Sequence, residues 1–365
     1  MTFLPHCRTI IDQFRSATPA NTDLTLRFGY CRVGVSASEP EIIDALADYF
    51  NGFLDDANGG PDIRISVHET PAPEPALPFQ IKPPDPGKSK IKEEWIDLPG
   101  GRAVRKRLTG MIFVFGGGEH LAAGPCRENL NQVVNFINNR YIEWLLCRGY
   151  LLGHAAGVIM NGRGLGLAGF SGAGKSTLAL HLMSAAPGAK FLSNDRLMVR
   201  RDETGVLMHG VAKLPRINPG TALNNPDLES IVPPADRDRF AALSRETLWT
   251  VEHKYDAPID QCFGPERFVL DGHIDALVIL NWTGDKGKTT LSPVTIGDRR
   301  DLLPAFMKST GLFFLPDGDC SHPNPTPDAY IETLSACAVL EITGRIDFEA
   351  AVEALCAWTS ESPGR

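Results

Sequence analysis

Hydrophobic and polar positions alternate in several ways along the chain, and the alternation predicts a mixture of strands and helices. Residues 24–38 and 62–69 favour strands, whereas residues 39–54 place apolar side chains at helical spacing. Residues 127–146 have the pattern of an amphipathic helix. The apolar run at 273–282 indicates a buried strand. Strands and helices alternate, with hairpins between them, and this order is typical of an α/β sheet of mixed direction.

Proline divides the pattern near the amino-terminal end. Residues 70–87 contain seven prolines and no usable period, so we interpret 70–93 as a proline-rich linker or long surface loop. Before it, residues 1–69 are predicted to form a small amino-terminal α+β module. After it, residues 94–149 supply strands and a connecting helix, and residues 150–365 form the main domain.

Composition and charge narrow the classes of protein to consider. The chain has 365 residues, of which 43% are hydrophobic and 22% charged, as in a soluble globular protein. A net charge of −8 argues against nucleic acid or an anionic membrane as a partner. The eight cysteines are scattered without a C-x-x-C pair, so neither a zinc site nor a redox motif is indicated. The amino terminus lacks the apolar core of a signal peptide, and we expect a reduced, cytoplasmic setting.

One stretch predicts chemistry directly. Residues 169–176, GFSGAGKS, match the phosphate-loop pattern G-x-x-x-x-G-K-[ST] in full. Glycines allow successive backbone N–H groups to turn toward phosphate oxygens, and the following helix adds its positive end. Lys175 would reach the β- and γ-phosphates, and the Ser176 hydroxyl would bind Mg²⁺. The predicted nucleotide-binding residues are Gly169, Ser171, Gly172, Ala173, Gly174, Lys175, Ser176 and Thr177.

A second glycine pattern overlaps the loop. Gly164, Gly166 and Gly169 fit G-x-G-x-x-G, the fingerprint of dinucleotide-binding proteins. That fingerprint should open a helix directly. Here the glycines lie along the predicted strand that precedes the loop, so we reject the dinucleotide interpretation.

A magnesium–triphosphate site also needs an acid at the end of a neighbouring strand. Asp195 ends the next apolar strand after the loop's helix, and we predict that it acts as the catalytic base, as a metal ligand, or as both. The predicted metal ligands are thus Ser176 and Asp195. His154 precedes the first hairpin strand, where it would either face the phosphates or end a strand.

The order of these features resembles a known family. His154, a hairpin, GFSGAGKST, a helix, FLSND, a second hairpin and KLPRINPG follow one another as in the catalytic core of HPr kinase/phosphorylase. The order is most similar to the HPr kinase-related group called kinase B. The match covers about residues 150–282. The resemblance implies a P-loop kinase core with a mixed sheet, akin to phosphoenolpyruvate carboxykinase, in which a hairpin leads into the loop.

The resemblance also implies an activity. The family uses ATP and Mg²⁺ to phosphorylate a seryl hydroxyl of a protein, with an adjacent pair of aspartates at the strand end. Here the pair is Asn194 and Asp195, and Leu207 stands where the family has a metal-binding glutamate, with His209 nearby. These departures put phosphorolysis in particular doubt. Relatives in the kinase B group are associated with ATP-grasp and CofD-like proteins, which implies partners of this kind, and a homo-oligomer is possible.

Three functions follow from the sequence. The first is an ATP- and Mg²⁺-dependent serine kinase that acts on a protein partner. The second is a small-molecule hydroxyl kinase on the same core, with an acceptor pocket lined by residues 213–220. The third is a nucleotide-binding scaffold or switch with little transfer activity.

Two further cations are candidates for stabilising charge on the transferred phosphoryl group. They are Arg216 and Lys254.

Overall fold

The computed structural model describes residues 4–57, 59–84, 89–284, 286–316, 320 and 324–361. It divides into two compact units. The first unit comprises Met1–Arg148 with Thr310–His322, and the second comprises Gly149–Ser309 with Pro323–Arg365. Within the described residues no helix combines the length and the apolar character needed to cross a membrane. The protein is therefore a mixed α/β chain with several sheets.

The first unit is built on one eight-stranded sheet. Its strands are Thr22–Phe28 (β1), Cys31–Ala37 (β2), Ile63–Glu69 (β3), Gln80–Ile81 (β4), Glu93–Leu98 (β5), Gly101–Lys106 (β6), Ile112–Gly116 (β7) and Glu119–Gly124 (β8). Its helices are Cys7–Ala17 (α1), Pro40–Tyr49 (α2) and Leu130–Leu146 (α3), with a 3-10 helix at Asn51–Phe53. The strand order is β1-β2-β3-β8-β7-β6-β5-β4. β3 is parallel to both of its neighbours, and the other pairs are antiparallel.

Helices cover both faces of this sheet because the strands alternate apolar side chains between the faces. On one face Val114 packs with Ile11 of α1 in the core. On the other, the ring of Phe113 lies 4.8 Å from that of Phe136 in α3. Consecutive residues of β7 therefore pack into two separate cores, one on each face of the sheet.

The proline-rich segment contributes to this unit. β4 lies within it and pairs with β5, and Leu77 and Phe79 pack against the core beneath α1. Strands from before and after the segment share one sheet, so the expected division into a module 1–69, a linker 70–93 and a piece 94–149 is replaced by one unit. Residues 85–88 of the segment lie outside the described residues. The boundary at Arg148/Gly149 adjoins the predicted start of the main domain at 150.

The basic cluster of the first unit forms ion pairs across neighbouring strands. Each cation of β6 lies opposite an acid of β5, as expected for stabilising cross-strand pairs. The pairs are Glu93 with Lys106, Glu94 with Arg105, and Asp97 with Arg102. The charges of this cluster are thus compensated within the sheet.

A disulfide joins Cys147 to Cys320 in the first unit. The scattered cysteine positions gave no indication of it. The other described cysteines form no disulfide. Because disulfides persist mainly in oxidising compartments, this bond weighs against the expected reduced setting, which stays a prediction.

The second unit holds three sheets. The strands are Leu151–Gly153 (β9), Ala155–Met160 (β10), Arg163–Gly169 (β11), Lys190–Ser193 (β12), Leu197–Asp202 (β13), Gly205–His209 (β14), Arg216–Ile217 (β15), Tyr255–Asp256 (β16), Asp271–His273 (β17), Ala276–Leu280 (β18), Thr290–Pro293 (β19) and Ala338–Thr343 (β20). The sheet orders are β12-β10-β11-β18-β20-β19, β17-β14-β13-β9 and β15-β16. β11, β18 and β20 run parallel, and the hairpin β10–β11 leads into the loop.

Helices pack around the six-stranded sheet. They are Lys175–Ala185 (α4), Pro219–Leu223 (α5), Pro234–Ala241 (α6), Arg245–Thr250 (α7), Ile259–Phe263 (α8), Pro327–Leu334 (α9) and Phe348–Ser360 (α10), with 3-10 helices at Glu229–Ile231 and Arg300–Ala305. Leu178 and Leu355, from α4 and α10, share one core with Leu167. Leu277, on the opposite face, packs with Met208 of the four-stranded sheet. The six-stranded sheet therefore has two buried faces.

Two of the glycines in the rejected dinucleotide pattern have a packing role. Gly164 and Gly166 both lie on β11, as predicted. A Cβ on Gly164 would lie 1.8 Å from the carbonyl oxygen of His273, and one on Gly166 would lie 2.6 Å from Ile274 Cδ1. These glycines permit close approach of neighbouring backbone and side chains rather than of a ligand.

Candidate functional site

The glycine-rich loop connects β11 to α4. Gly172 and Gly174 have φ values of +83° and +85°, in the left-handed region that glycine adopts readily. α4 begins at Lys175, so the unpaired N–H groups and the positive end of the helix lie where the loop ends. A helix that begins in this way can bind an anion, and the predicted binding of phosphate by the loop stays a prediction.

Two aromatic side chains support the loop. The indole Nε1–H of Trp282, just after β18, donates to the carbonyl oxygen of Ala173 at 2.8 Å. A Cβ on Gly174 would lie 2.4 Å from the ring of Phe348, which begins α10. The two rings meet edge to face with centroids 6.0 Å apart. No sequence pattern indicates this support, because Trp282 and Phe348 are distant from the loop along the chain.

Lys175 is buried, with 8% of its surface exposed. Its ammonium donates to the carbonyl oxygen of Gly169 at 2.7 Å. Burial and the charge of Lys308 lower the pKa of Lys175, and Asp195 opposes this shift. Among the other predicted residues of the loop, Ser171 and Gly172 are exposed and Ser176 is half-buried. The hydroxyl of Thr177 forms a hydrogen bond with the hydroxyl of Thr221 at 3.0 Å, so it is not directed to a ligand. The backbone N–H of Thr177 is the group that remains to bind an anion.

Sheet topology brings the predicted catalytic residues to the same edge. β12 and β11 both pair antiparallel with β10, so β11 and β12 run in the same direction. The loop follows β11, and Asn194 and Asp195 follow β12 at the same edge of the sheet. His154 precedes β10, which starts there. Three stretches that are separated in the sequence therefore meet at the strand ends, where α/β sheets bind their ligands.

His154 is half-buried beside a segment that the sequence analysis did not single out. Its backbone N–H donates to Phe306 O at 2.5 Å, and the N–H of Lys308 donates to Leu152 O at 3.2 Å. These bonds align residues 306–308 with β9. Burial, followed by the charges of Lys308 and Lys175, lowers the pKa of His154 to about 4. The imidazole is therefore neutral near pH 7.

Asp195 faces several cations. The ammonium of Lys308 lies 3.8 Å from Asp195 Oδ2. Burial by itself would raise the pKa of Asp195, but Arg196, Lys308 and Lys213 lower it below its usual value, with a smaller contribution from His154. Asp195 is thus held as a carboxylate. Its side chain remains 43% exposed, so it is open to a bound molecule.

Sequence reasoning missed Lys308, and it included Lys213 only as one of the residues 213–220 that would line an acceptor pocket, without a role of its own. Burial lowers the pKa of each, and Asp195 opposes the shift in both. Gly210 helps to bring Lys213 to the site, because a Cβ there would lie 1.9 Å from the carbonyl oxygen of Leu192 on β12. Gly210 is the signal that could have located Lys213. For Lys308 the sequence carried none, since its position depends on the pairing of residues 306–308 with β9.

Arg216 occupies a more peripheral position. It lies on β15, and its guanidinium is 3.4 Å from Asp256 on the paired strand β16, with both side chains about half exposed. Its charge lowers the pKa of Lys213. Arg216 is therefore a neighbour of Lys213 engaged in an exposed ion pair, and its predicted catalytic role stays a prediction. Lys254 is exposed.

The residues present can be compared with the needs of Mg²⁺. In the part of the chain that the structure describes, no group of three or more His, Cys, Asp or Glu side chains is arranged to hold a metal. Mg²⁺ takes oxygen ligands and keeps several waters, so a few side-chain oxygens suffice. Ser176 and Asp195 offer such oxygens, and Asn194 Oδ1 is buried without a hydrogen-bond partner. This donor set fits Mg²⁺.

Comparisons with known proteins find a likeness among solved structures. No family model matches the chain, and no curated protein matches it. Among solved structures, the HPr(Ser) kinase/phosphatase from Coxiella burnetii is similar at 10% sequence identity, with a TM-score of 0.30, over 57% of this chain and 89% of that chain. A TM-score of 0.30 establishes neither a shared fold nor a shared activity.

Proposed function

We propose that the protein is an ATP- and Mg²⁺-dependent phosphotransferase that phosphorylates a hydroxyl group, most specifically a seryl hydroxyl of a protein partner. One observation carries the proposal: the glycine-rich loop, its buried Lys175 and the carboxylate of Asp195 lie at the same edge of the six-stranded sheet. A loop of this kind binds phosphates, and a carboxylate beside it can serve the acceptor hydroxyl.

Each residue would have a distinct part. The N–H groups of the loop and of the first turn of α4 would bind the phosphates of ATP. Lys175 would exchange its hydrogen bond with Gly169 for one with phosphate oxygens. Ser176, Asn194 and Asp195 would hold Mg²⁺, which supplies charge neutralisation between the β- and γ-phosphates.

The second part of Asp195 is to receive a proton. A seryl hydroxyl scarcely ionises near pH 7, so a carboxylate within hydrogen-bond reach would accept its proton during transfer. The cations around Asp195 keep it ionised and ready for this role. His154, which is neutral near pH 7, is the alternative base.

A second candidate function is a nucleotide-binding switch with little transfer activity. The observation that favours it is Asn194. An amide at this position accepts no proton from a hydroxyl, so Asp195 alone would have to bind the metal as a carboxylate and also accept the proton of the acceptor hydroxyl. The association with ATP-grasp and CofD-like proteins, a cytoplasmic location and a homo-oligomer remain predictions from the sequence.

The deciding experiment measures transfer from ATP labelled in the γ-phosphate into purified candidate proteins or a cell extract. Wild-type protein should label an acceptor, whereas Lys175→Ala should neither label it nor show ATP-dependent thermal stabilisation, which depends on ligand concentration over the dissociation constant. Stabilisation without transfer would support the switch. Stabilisation by ATP that is unchanged in Lys175→Ala would refute nucleotide binding at the loop.

A further inference from the structure

The strand end that holds Asp195 carries more positive charge than one carboxylate balances. Lys213 and Lys308 lie in segments that are far apart in the sequence, and the pKa of Asp195 responds to both. Lys308 approaches it to 3.8 Å, beyond hydrogen-bond distance. Within the described part of the chain, the Lys213 ammonium makes no hydrogen bond and no ion pair, although the residue is half-buried. Asp256, the other acid that acts on Lys213, is paired with Arg216.

Buried or half-buried ammonium groups are costly unless an anion compensates them. Each of these lysines keeps N–H donors unused, and the chain at or near it is held by a backbone contact. Lys308 is fixed by the hydrogen bond from its N–H to Leu152 O. Lys213 comes shortly after Gly210 in the chain, and the backbone of Gly210 packs closely against Leu192 of β12. The placement of two such lysines by independent segments indicates a binding role.

The anion that they serve is distinct from the one at the loop. The phosphates of ATP are already matched by the loop N–H groups, the end of α4 and Lys175. Lys308 lies 3.8 Å from Asp195, the residue that would receive the acceptor's proton, and Lys213 also acts on Asp195. A charged group next to the reacting hydroxyl would place that hydroxyl against Asp195.

We propose that Lys213 and Lys308 form a second anion site, which binds a carboxylate or phosphate of the acceptor beside the hydroxyl that is phosphorylated. This inference rests on the proposed function and specifies its substrate class as an anionic alcohol. In the transfer step the acceptor oxygen forms a bond to the γ-phosphorus while the bond from that phosphorus to the β–γ bridging oxygen breaks. The hydroxyl proton passes to Asp195, and ADP leaves with the bonding electron pair.

The first test uses inorganic phosphate as the probe. Protein saturated with Mg²⁺ and ADP is titrated with phosphate by calorimetry. Lys213→Gln and Lys308→Gln should each raise the dissociation constant of phosphate roughly tenfold or more, because a hydrogen bond to a charged group is removed. Lys190→Gln, an exposed substitution on the strand that leads to Asp195, is the matched control and should leave it unchanged.

The second test follows the acceptor. Extract is separated by size before labelling, so that label in the protein fraction identifies an acidic protein segment and label in the small-molecule fraction identifies a carboxylated or phosphorylated alcohol. With either acceptor, Lys308→Gln should raise the acceptor KM roughly tenfold and leave the KM for ATP within about twofold.

The outcomes separate the second anion site from the proposed function. Phosphate affinity that is unchanged in both lysine variants, with ADP still bound, overturns the second site alone. A rise in the KM for ATP with no change for the acceptor also overturns it, since the lysines would then serve the nucleotide. Failure of the wild-type protein to bind ADP overturns the proposed function itself. Thermal melts without ligand show whether each variant is folded.

Discussion

Charged residues are arranged differently in the two units of the chain. In the first unit, the basic residues of β6 pair with acids of β5. In the second unit, the single carboxylate of Asp195 acts on the pKa values of Lys175, Lys213 and Lys308. Paired charges on a sheet are compensated by their neighbours and need no ligand. Cations that share one acid at a strand end leave positive charge for an anion, and we expect this difference to distinguish a structural cluster from a binding site.

The largest expected effect comes from removing the shared acid. Asp195→Asn should reduce phosphoryl transfer by roughly 10²- to 10⁴-fold, the usual contribution of a general base. ATP binding should survive, because the loop and Lys175 remain. Single-turnover transfer from labelled ATP measures the loss. The matched control is Asp202→Asn, a half-buried acid at the β13–β14 turn that accepts a hydrogen bond from the Thr204 hydroxyl. A loss below about tenfold in Asp195→Asn would place the base elsewhere, with His154 next in line.

A smaller effect is expected from the support behind the loop. Trp282→Phe retains an aromatic ring but removes the hydrogen bond to Ala173 O. The dissociation constant of Mg²⁺–ATP should rise about three- to tenfold, as for the loss of one neutral hydrogen bond. Calorimetric titration with ATP measures the change. Trp358→Phe is the control, since Trp358 lies on α10 and its ring contacts the guanidinium of Arg163, at the start of β11, instead of the loop. Equal affinities in wild type and Trp282→Phe would show that the loop does not depend on this bond.

Acid should destabilise the second unit through its buried histidines. The pKa values of His154 and His209 are lowered from 6.5 to about 4, chiefly by burial. The unfolded chain therefore binds more protons between these values, and the free energy of unfolding should decrease as the pH falls below about 6.5. Melting temperatures at pH 7 and pH 5 measure the decrease. His209→Phe, which keeps a ring against Tyr150, should make the decrease smaller, and a decrease of the same size would contradict this origin.

The smallest effect is expected in the paired cluster of the first unit. Asp97→Asn breaks an ion pair with Arg102 in which Asp97 is 57% exposed. Exposed pairs contribute little, so the free energy of unfolding should change by less than about 1 kcal/mol. Nucleotide binding should not change. Urea unfolding and an ATP titration measure the two quantities. Weaker ATP binding in Asp97→Asn would contradict the view that the ion pairs of β5 and β6 have only a structural role.

Sequence reasoning worked best where the structure depends on neighbours along the chain. The strand, loop and helix around residues 163–185 were predicted from one continuous motif. The glycines of β11 were correctly excluded as a dinucleotide fingerprint. In contrast, the proline-rich segment was interpreted as a linker because its composition builds no core of its own. Leu77, Phe79 and β4 instead use a core and a sheet edge supplied by distant residues.

The sequence by itself determined the local chemistry of this protein: a glycine-rich loop opening a helix, a lysine and a serine at fixed spacing, and an acid at the end of the next strand. Backbone propensity and short-range spacing carry that information. Only the tertiary structure decided which other charges share the strand end. Lys213 is brought there by the close contact of Gly210 with β12, and Lys308 by pairing with β9. Such contacts are set by packing between segments distant in sequence, which leaves no periodic signal along the chain.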